Sequence, residues 1–200
     1  MEFMDVIRSR RSVRNFKSDP IPDNVIKDII DAGRLSPSPG NNQNWYFGVI
    51  KDKSQREKLA YAAGEQMWVS SAPAIIAICT KIDWDISILP EDDFALQVNR
   101  TRFSSEFVDY LRKYPNQRVV TTLFDNGGSG IPGEQMFLTA VNHGLGACWI
   151  GFLDIEKANK VLGLPEDIIC LNIIPIGYPD EKPSEIERKN VEEVLFMDKW

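Results

Sequence analysis

The sequence predicts an α+β domain, a modest central sheet with helices packed around it. Three observations carry that expectation. Some stretches repeat their apolar residues at helical spacing, while others are apolar without a break over the length of one strand. The two kinds mix along the chain without strict β-α-β alternation. At 200 residues, 43% hydrophobic and 26% charged, the chain can build one well-buried core without disulfides or a structural metal.

The elements follow in order. Residues 2–9 form a short amphipathic piece with Phe3, Val6 and Ile7 on one side. Pro20 and Pro22 flank Ile21, and a helix starts after them, with Val25, Ile26, Ile29, Ile30 and Gly33 at helical spacing. Pro37 and Pro39 stop it, because proline lacks the N–H that a helix needs. Trp45–Ile50 reads as a strand. Ser54 and Glu57 form a capping box that opens a helix toward Ala63. After Pro73, the run AIIAICT is typical of a buried central strand. Residues 82–125 read as irregular and rich in aromatics, with one helix over 104–114 that puts Phe107, Tyr110, Leu111 and Tyr114 on one face. A buried helix follows over 132–143, then a turn and strand over 144–152. Asp154 caps a short helix that ends at Leu162, with Gly163 in the usual position after it. Residues 168–176 form a strong strand closed by Gly177-Tyr178-Pro179, and the tail turns apolar at Val191, Val194, Leu195 and Phe196.

The charge balance is acidic, 23 Lys and Arg against 29 Asp and Glu. Residues 8–17 run against it: Arg8, Arg10, Arg11, Arg14 and Lys17 occur there with no acid among them. The surrounding negative charge makes nucleic acid a poor partner for this cluster. Three separated cysteines, no CxxC and one histidine exclude a zinc ribbon or a disulfide scaffold and fit a reducing compartment. The start, MEFMDVI, has no apolar signal-peptide core, and apolar runs such as 72–79 are too short to span a bilayer. The expectation is a soluble cytoplasmic protein without a metal.

Four segments carry candidate chemistry. In Arg10-Arg11-Ser12-Val13-Arg14, guanidinium forks and a hydroxyl suit phosphate oxygens, although a solvated basic face is the plain alternative. Residues 36–45, SPSPGNNQNW, are dense in amides that can both donate to and accept from a heterocycle edge, or they are simply a polar loop. Gly144-Leu145-Gly146 lacks the spacing of a dinucleotide fingerprint, but its glycines let the backbone approach a flat ligand. Gly177-Tyr178-Pro179 with Arg188 nine residues on would complete a phosphate clamp, or be a turn and a surface charge.

Together, RRSVR near residue 10, PSxxNxQxW near 40, Ala72-Pro73 before a strand, GLGxxWIG and GYP with a later arginine resemble the nitroreductase family of flavoproteins. The resemblance runs end to end except over 82–125. It implies one domain over residues 1–200 around a mostly antiparallel sheet, in a homodimer of the domain-swapped type. Residues 82–125 would form a variable lid, and 189–200 a tail packed on the partner. It also implies FMN as cofactor and NADH or NADPH as co-substrate. Arg10 and Arg188 would hold the 5′-phosphate, Ser12 the phosphate or ribityl chain, and Arg14 the ribityl chain and pyrimidine side, with Arg11 in the same segment. Pro37, Ser38, Asn41 and Gln43 would reach the flavin across the dimer interface, Gln66 would lie near it, and the amides of Ile150 and Gly151 would face N5 and O4.

The chain departs from the family at three places: Asn44 stands where proline is common, Glu65 where an amide is common, and Ile186 where lysine is common. The implied activity is ping-pong transfer of reducing equivalents from NAD(P)H to a small acceptor such as a nitroaromatic or quinone. No side chain serves as nucleophile; His143 and Cys148 receive no catalytic role. Flavin fragmentation, dehalogenation, enone reduction, and flavin storage or sensing without turnover remain alternatives. Trp84, Phe94, Phe103, Phe107 and Phe124 are candidate pocket walls.

Overall fold

Two strands organise the molecule, β2 (Ala74–Lys81) and β4 (Ile168–Gly177), and nearly every residue in both is buried. The computed structural model describes residues 1–82, 85–125 and 128–200, with Phe124 and Asp125 described by their backbone alone. Among these residues the sheet has four strands in the order β1-β2-β4-β3, where β1 is Trp45–Ile50 and β3 is Gly146–Ala147. Every neighbouring pair of these strands is antiparallel. An irregularity between Ile78 and Cys79 shifts the β2–β4 register.

Side chains alternate across a strand, so β2 feeds two cores. Ile75, Ala77 and Cys79 enter one, with Leu59, Ala60 and Ala158. Ala74, Ile76 and Ile78 enter the other, with Ile26, Ile29, Met136 and Phe137. The first core is covered by α3 (Lys53–Ala62) and α8 (Ile155–Leu162), the second by α2 (Asp23–Arg34) and α7 (Gly130–Asn142). The result is a helix–sheet–helix sandwich. Each fully buried isoleucine contributes about 1.5–3 kcal/mol by removal from water. A first helix, α1 (Phe3–Ser9), buries Val6 but leaves Phe3 and Ile7 exposed.

Two expectations about helices need correction. The cap of α3 is Asp52, whose carboxylate accepts from Gln55 N at 2.8 Å; Ser54 lies already inside the first turn. A charged acceptor interacts favourably with the positive end of the helix, which accounts for the start two residues earlier. The second correction concerns residues 82–125, which contain three helices rather than one: α4 (Phe94–Phe103), α5 (Ser105–Arg112) and α6 (Gln117–Asp125). Each buries little. Leu96, Val108 and Val120 point inward, while Phe107, Tyr110 and Tyr114 are exposed. Asp93 caps α4, and Ser104, at φ 79°, turns the chain into α5. Charge ties the insert together: Glu91 accepts from both Arg100 and Arg112, and Arg100 also pairs with Asp109 at 2.7 Å. Arg118 then joins α6 to Glu156 of α8.

The cap at Asp154 forms as expected, accepting from Lys157 N at 3.0 Å, and Gly163 adopts the left-handed conformation at φ 64°. Beyond β4, Val191, Val194, Leu195, Phe196 and Met197 are all exposed on this chain, and Trp200 is 97% exposed. No described helix is long and apolar enough to cross a membrane.

Candidate active site

The basic segment leaves α1 at Arg10 and lies along the edge of the sheet. Val13 N donates to Ala147 O at 2.9 Å, and Ser12 forms a parallel bridge with Ala147. Val13 and Phe16 are buried and anchor the segment. The contact is tight enough to require glycine at 146, where an added Cβ would sit 2.7 Å from a Val13 methyl. Further on, Phe16 bridges Pro179 and Lys17 N donates to Tyr178 O at 2.9 Å. The structure thus brings RRSVR, Gly146–Ala147 and the GYP turn together, as their joint use in one site requires.

The guanidinium groups rest on aromatic faces. Arg10 lies 5.4 Å from the Phe137 ring centre and Arg14 lies 5.9 Å from that of Trp68. Arg11 donates to the carbonyls of Arg8 and Arg10. Among the described residues, no carboxylate pairs with the guanidinium of Arg10, Arg11 or Arg14. In a chain with six net negative charges, three arginines of one segment without carboxylate partners make a local positive patch. Glu181 does approach, but its carboxylate accepts from the backbone N–H groups of Arg14 and Asn15.

Cys148 lies beneath this cluster. Burial pushes its thiol up, and nearby Arg14, Ser12 and Arg10 only partly offset that effect. Its surroundings therefore disfavour the thiolate. His143 faces Asp28 at 3.2 Å, joining α7 to α2 as a structural contact.

A third wall comes from residues 62–68. Gly64 packs so closely against Phe152 that a Cβ there would approach the ring to 2.3 Å, and Asp154 N donates to Ala62 O at 2.8 Å. The stretch thus runs from Phe152 and Asp154 to Trp68, over which Arg14 lies. The Gln66 Nε2 donates to Ala63 O at 2.7 Å. Ile150 is buried and exchanges backbone hydrogen bonds with Ile173; Gly151 is exposed, and its N–H has no partner among the described residues.

The remaining candidates stand apart. Ser36 is fixed to Gln135 at 2.7 Å and Asn44 to Thr80 at 2.9 Å, which tethers the loop between them at both ends. Within that loop Ser38 Oγ accepts from Gln43 N, and Pro37, Asn41 and Gln43 are exposed. No contact among the described residues joins this loop to the arginine cluster of the same chain. Arg188 is exposed and has no hydrogen bond or ion pair among the described residues. Of the candidate pocket walls, Phe94, Phe103 and Phe107 are exposed, and Trp84 and the Phe124 side chain lie outside the described residues. A cavity of about 890 Å³ between α6 and α8, lined by Gln117, Thr121, Asn159 and Leu164, contains none of the candidate residues. Sequence reasoning missed Trp68, Phe137 and Glu181. The first two look like ordinary core aromatics, and only proximity to arginine reveals their second use.

The model of the nitroreductase family matches residues 7–178. The chain belongs to the nitroreductase family. Among similar family proteins, NADH dehydrogenase of Thermus thermophilus is 26% identical over 188 residues, 94% of this chain and 91% of that protein. NADPH-flavin oxidoreductase of Vibrio harveyi is 28% identical over 182 residues, 90% of this chain and 67% of that protein. The solved structure of NADPH:FMN oxidoreductase from Vibrio harveyi complexed with NAD+ superposes with a TM-score of 0.74 at 26% identity, covering 99% of this chain and 77% of that one. The antiparallel sheet and flanking helices are the nitroreductase fold.

Proposed function

We propose that this nitroreductase-family protein is an FMN-dependent oxidoreductase that passes reducing equivalents from NAD(P)H to a small organic acceptor such as a nitroaromatic or quinone. Family membership supports the enzyme class, NAD(P)H-dependent oxidoreductase. One structural observation carries the cofactor reading: Arg10 and Arg14 rest on the rings of Phe137 and Trp68, Arg11 donates only to backbone carbonyls, and none of the three has a carboxylate partner among the described residues. That donor set fits a flat ring with a phosphate tail.

FMN, when bound, supplies hydride acceptance and donation. The chain supplies binding, orientation and charge. Arg10 and Arg188 hold the terminal phosphate as bidentate donors, with Arg11 adding charge, and Ser12 donates to the phosphate or ribityl chain. Arg14 places a fixed positive charge where negative charge develops on reduction. The N–H of Gly151 orients the ring edge; the N–H of Ile150, expected from the sequence to share that role, instead donates to Ile173 O at 3.0 Å, which corrects that expectation. Gln66 lines the same edge through its uncommitted amide oxygen. NAD(P)H and the acceptor use one pocket in turn, which gives ping-pong kinetics.

We assign Pro37, Ser38, Asn41 and Gln43 to the second subunit's site in a homodimer. The exposure of Pro37, Asn41 and Gln43 on the single chain supports this, as does left-handed backbone at Asn41 and Gln43, which fixes the loop's shape before any partner meets it. The exposed apolar tail supports packing of residues 189–200 on the partner. Three unpaired buried thiols support a cytoplasmic location.

The test is an absorption spectrum of the purified protein before and after FMN addition and removal of excess. Bound oxidised flavin that bleaches with NADH or NADPH, and recovers its colour with a quinone, is the expected result. Protein that retains no flavin refutes the reading; flavin that bleaches without turnover leaves a storage or sensing role.

A further inference from the structure

We propose that Glu181 is a positioning residue for the cofactor site, setting the direction from which Arg14 reaches its anion. The inference rests on the FMN reading above. Residues 15–17 and 178–180 already form a short antiparallel pairing: Lys17 N donates to Tyr178 O, Phe16 bridges Pro179, and Asp180 N donates to Asn15 O at 3.0 Å. At the next step the backbone pairing stops and a side chain takes over. One Glu181 carboxylate oxygen accepts from Arg14 N at 2.6 Å and from Asn15 N at 3.2 Å.

Two successive amide donors on one charged acceptor are strong, directional hydrogen bonds. They fix the peptides on both sides of the Arg14 Cα, and so the root of the Arg14 side chain. What the carboxylate does not do is equally informative. It forms no ion pair with the Arg14 guanidinium, which lies over Trp68 instead. The acid spends its hydrogen bonds on the main chain and leaves the cation available. Without it, Arg14 and Asn15 are an exposed, irregular pair of residues with no other hydrogen bond to their N–H groups. Arg14 would then have to be ordered at the moment of binding, and that ordering lowers affinity.

The experiment is FMN titration of the apoprotein, followed by flavin fluorescence, with thermal melting of each apoprotein alongside. Wild type, E181A, E181Q, R14A and the double variant R14A/E181A are compared. E181A weakens FMN binding about tenfold. E181Q keeps a carbonyl oxygen for the two N–H groups and restores affinity to within about threefold of wild type. On the R14A background, E181A has no further effect, because it acts through Arg14. Wild-type affinity in E181A overturns the inference alone. So does E181Q binding as weakly as E181A, which would make charge rather than hydrogen bonding the cause. An E181A loss that persists on the R14A background, with a lowered melting temperature, makes Glu181 a fold anchor and also overturns it. Wild-type protein that binds no FMN refutes the cofactor reading, and this inference with it.

Discussion

The sheet edge that carries the arginines and the insert over 82–125 are built on different principles. At the edge, Val13 and Phe16 are buried against residues of strands whose own positions are almost all inaccessible. The insert buries single residues such as Leu96 and Val108 and relies on Glu91 to join Arg100 and Arg112. Apolar burial is indifferent to salt and pH, whereas exposed ion pairs weaken with both. The edge is therefore held by apolar burial, and the insert largely by charge.

The comparison can be broken at four points, taken from the largest effect down. Ile174→Ala, in the fully buried part of β4, destabilises the whole protein by about 2–5 kcal/mol; chemical denaturation measures it. Gly146→Ala puts a methyl where Val13 now lies and displaces the arginine segment. Its expected effect is a loss of FMN affinity of about ten- to a hundredfold, read by fluorescence titration, with the sheet's spectrum unchanged. Glu91→Gln removes the hub of the insert's ion pairs and speeds proteolysis within residues 85–112, with little change in global stability.

The smallest effect is a pH dependence. Hydrogen bonds from Arg100 and then Arg112 hold the Glu91 carboxyl below the usual carboxylate range. A group whose folded pKa is lowered stabilises above its unfolded pKa, and that stability is lost as pH falls through the folded value. The insert should thus open to protease or hydrogen exchange as pH falls below the ordinary glutamate range, ahead of the sheet. Simultaneous loss of both regions would remove the distinction.

What could be read from the sequence follows the same division. The run AIIAICT announced β2 because burial on both faces demands unbroken apolar residues, and Asp154 with Gly163 announced α8 because caps depend on single residues. The helices α4 and α6 were not legible. In α4 only Leu96 is buried, so there is no apolar stripe to detect, and the ion pairs that hold it, Arg100 with Glu91 and Asp109, reach outside the helix. In the site, the clustering of RRSVR with Gly146 and the GYP turn was legible through motif order. Glu181 was not, because its role depends on a contact made 167 residues away along the chain. The role of residues 36–45 was not legible from the single chain either, since no contact among the described residues joins them to the arginine segment.

The central claim, that the uncompensated arginines are a phosphate site, is tested most directly by comparing FMN with riboflavin, which has the same ring and no phosphate. Charge-assisted hydrogen bonds to phosphate contribute roughly 1.5–3 kcal/mol each, so FMN should bind wild-type protein at least about tenfold more tightly, and Arg10→Ala should remove most of that preference. Equal affinity for the two flavins, or a preference that survives in Arg10→Ala, would contradict the account.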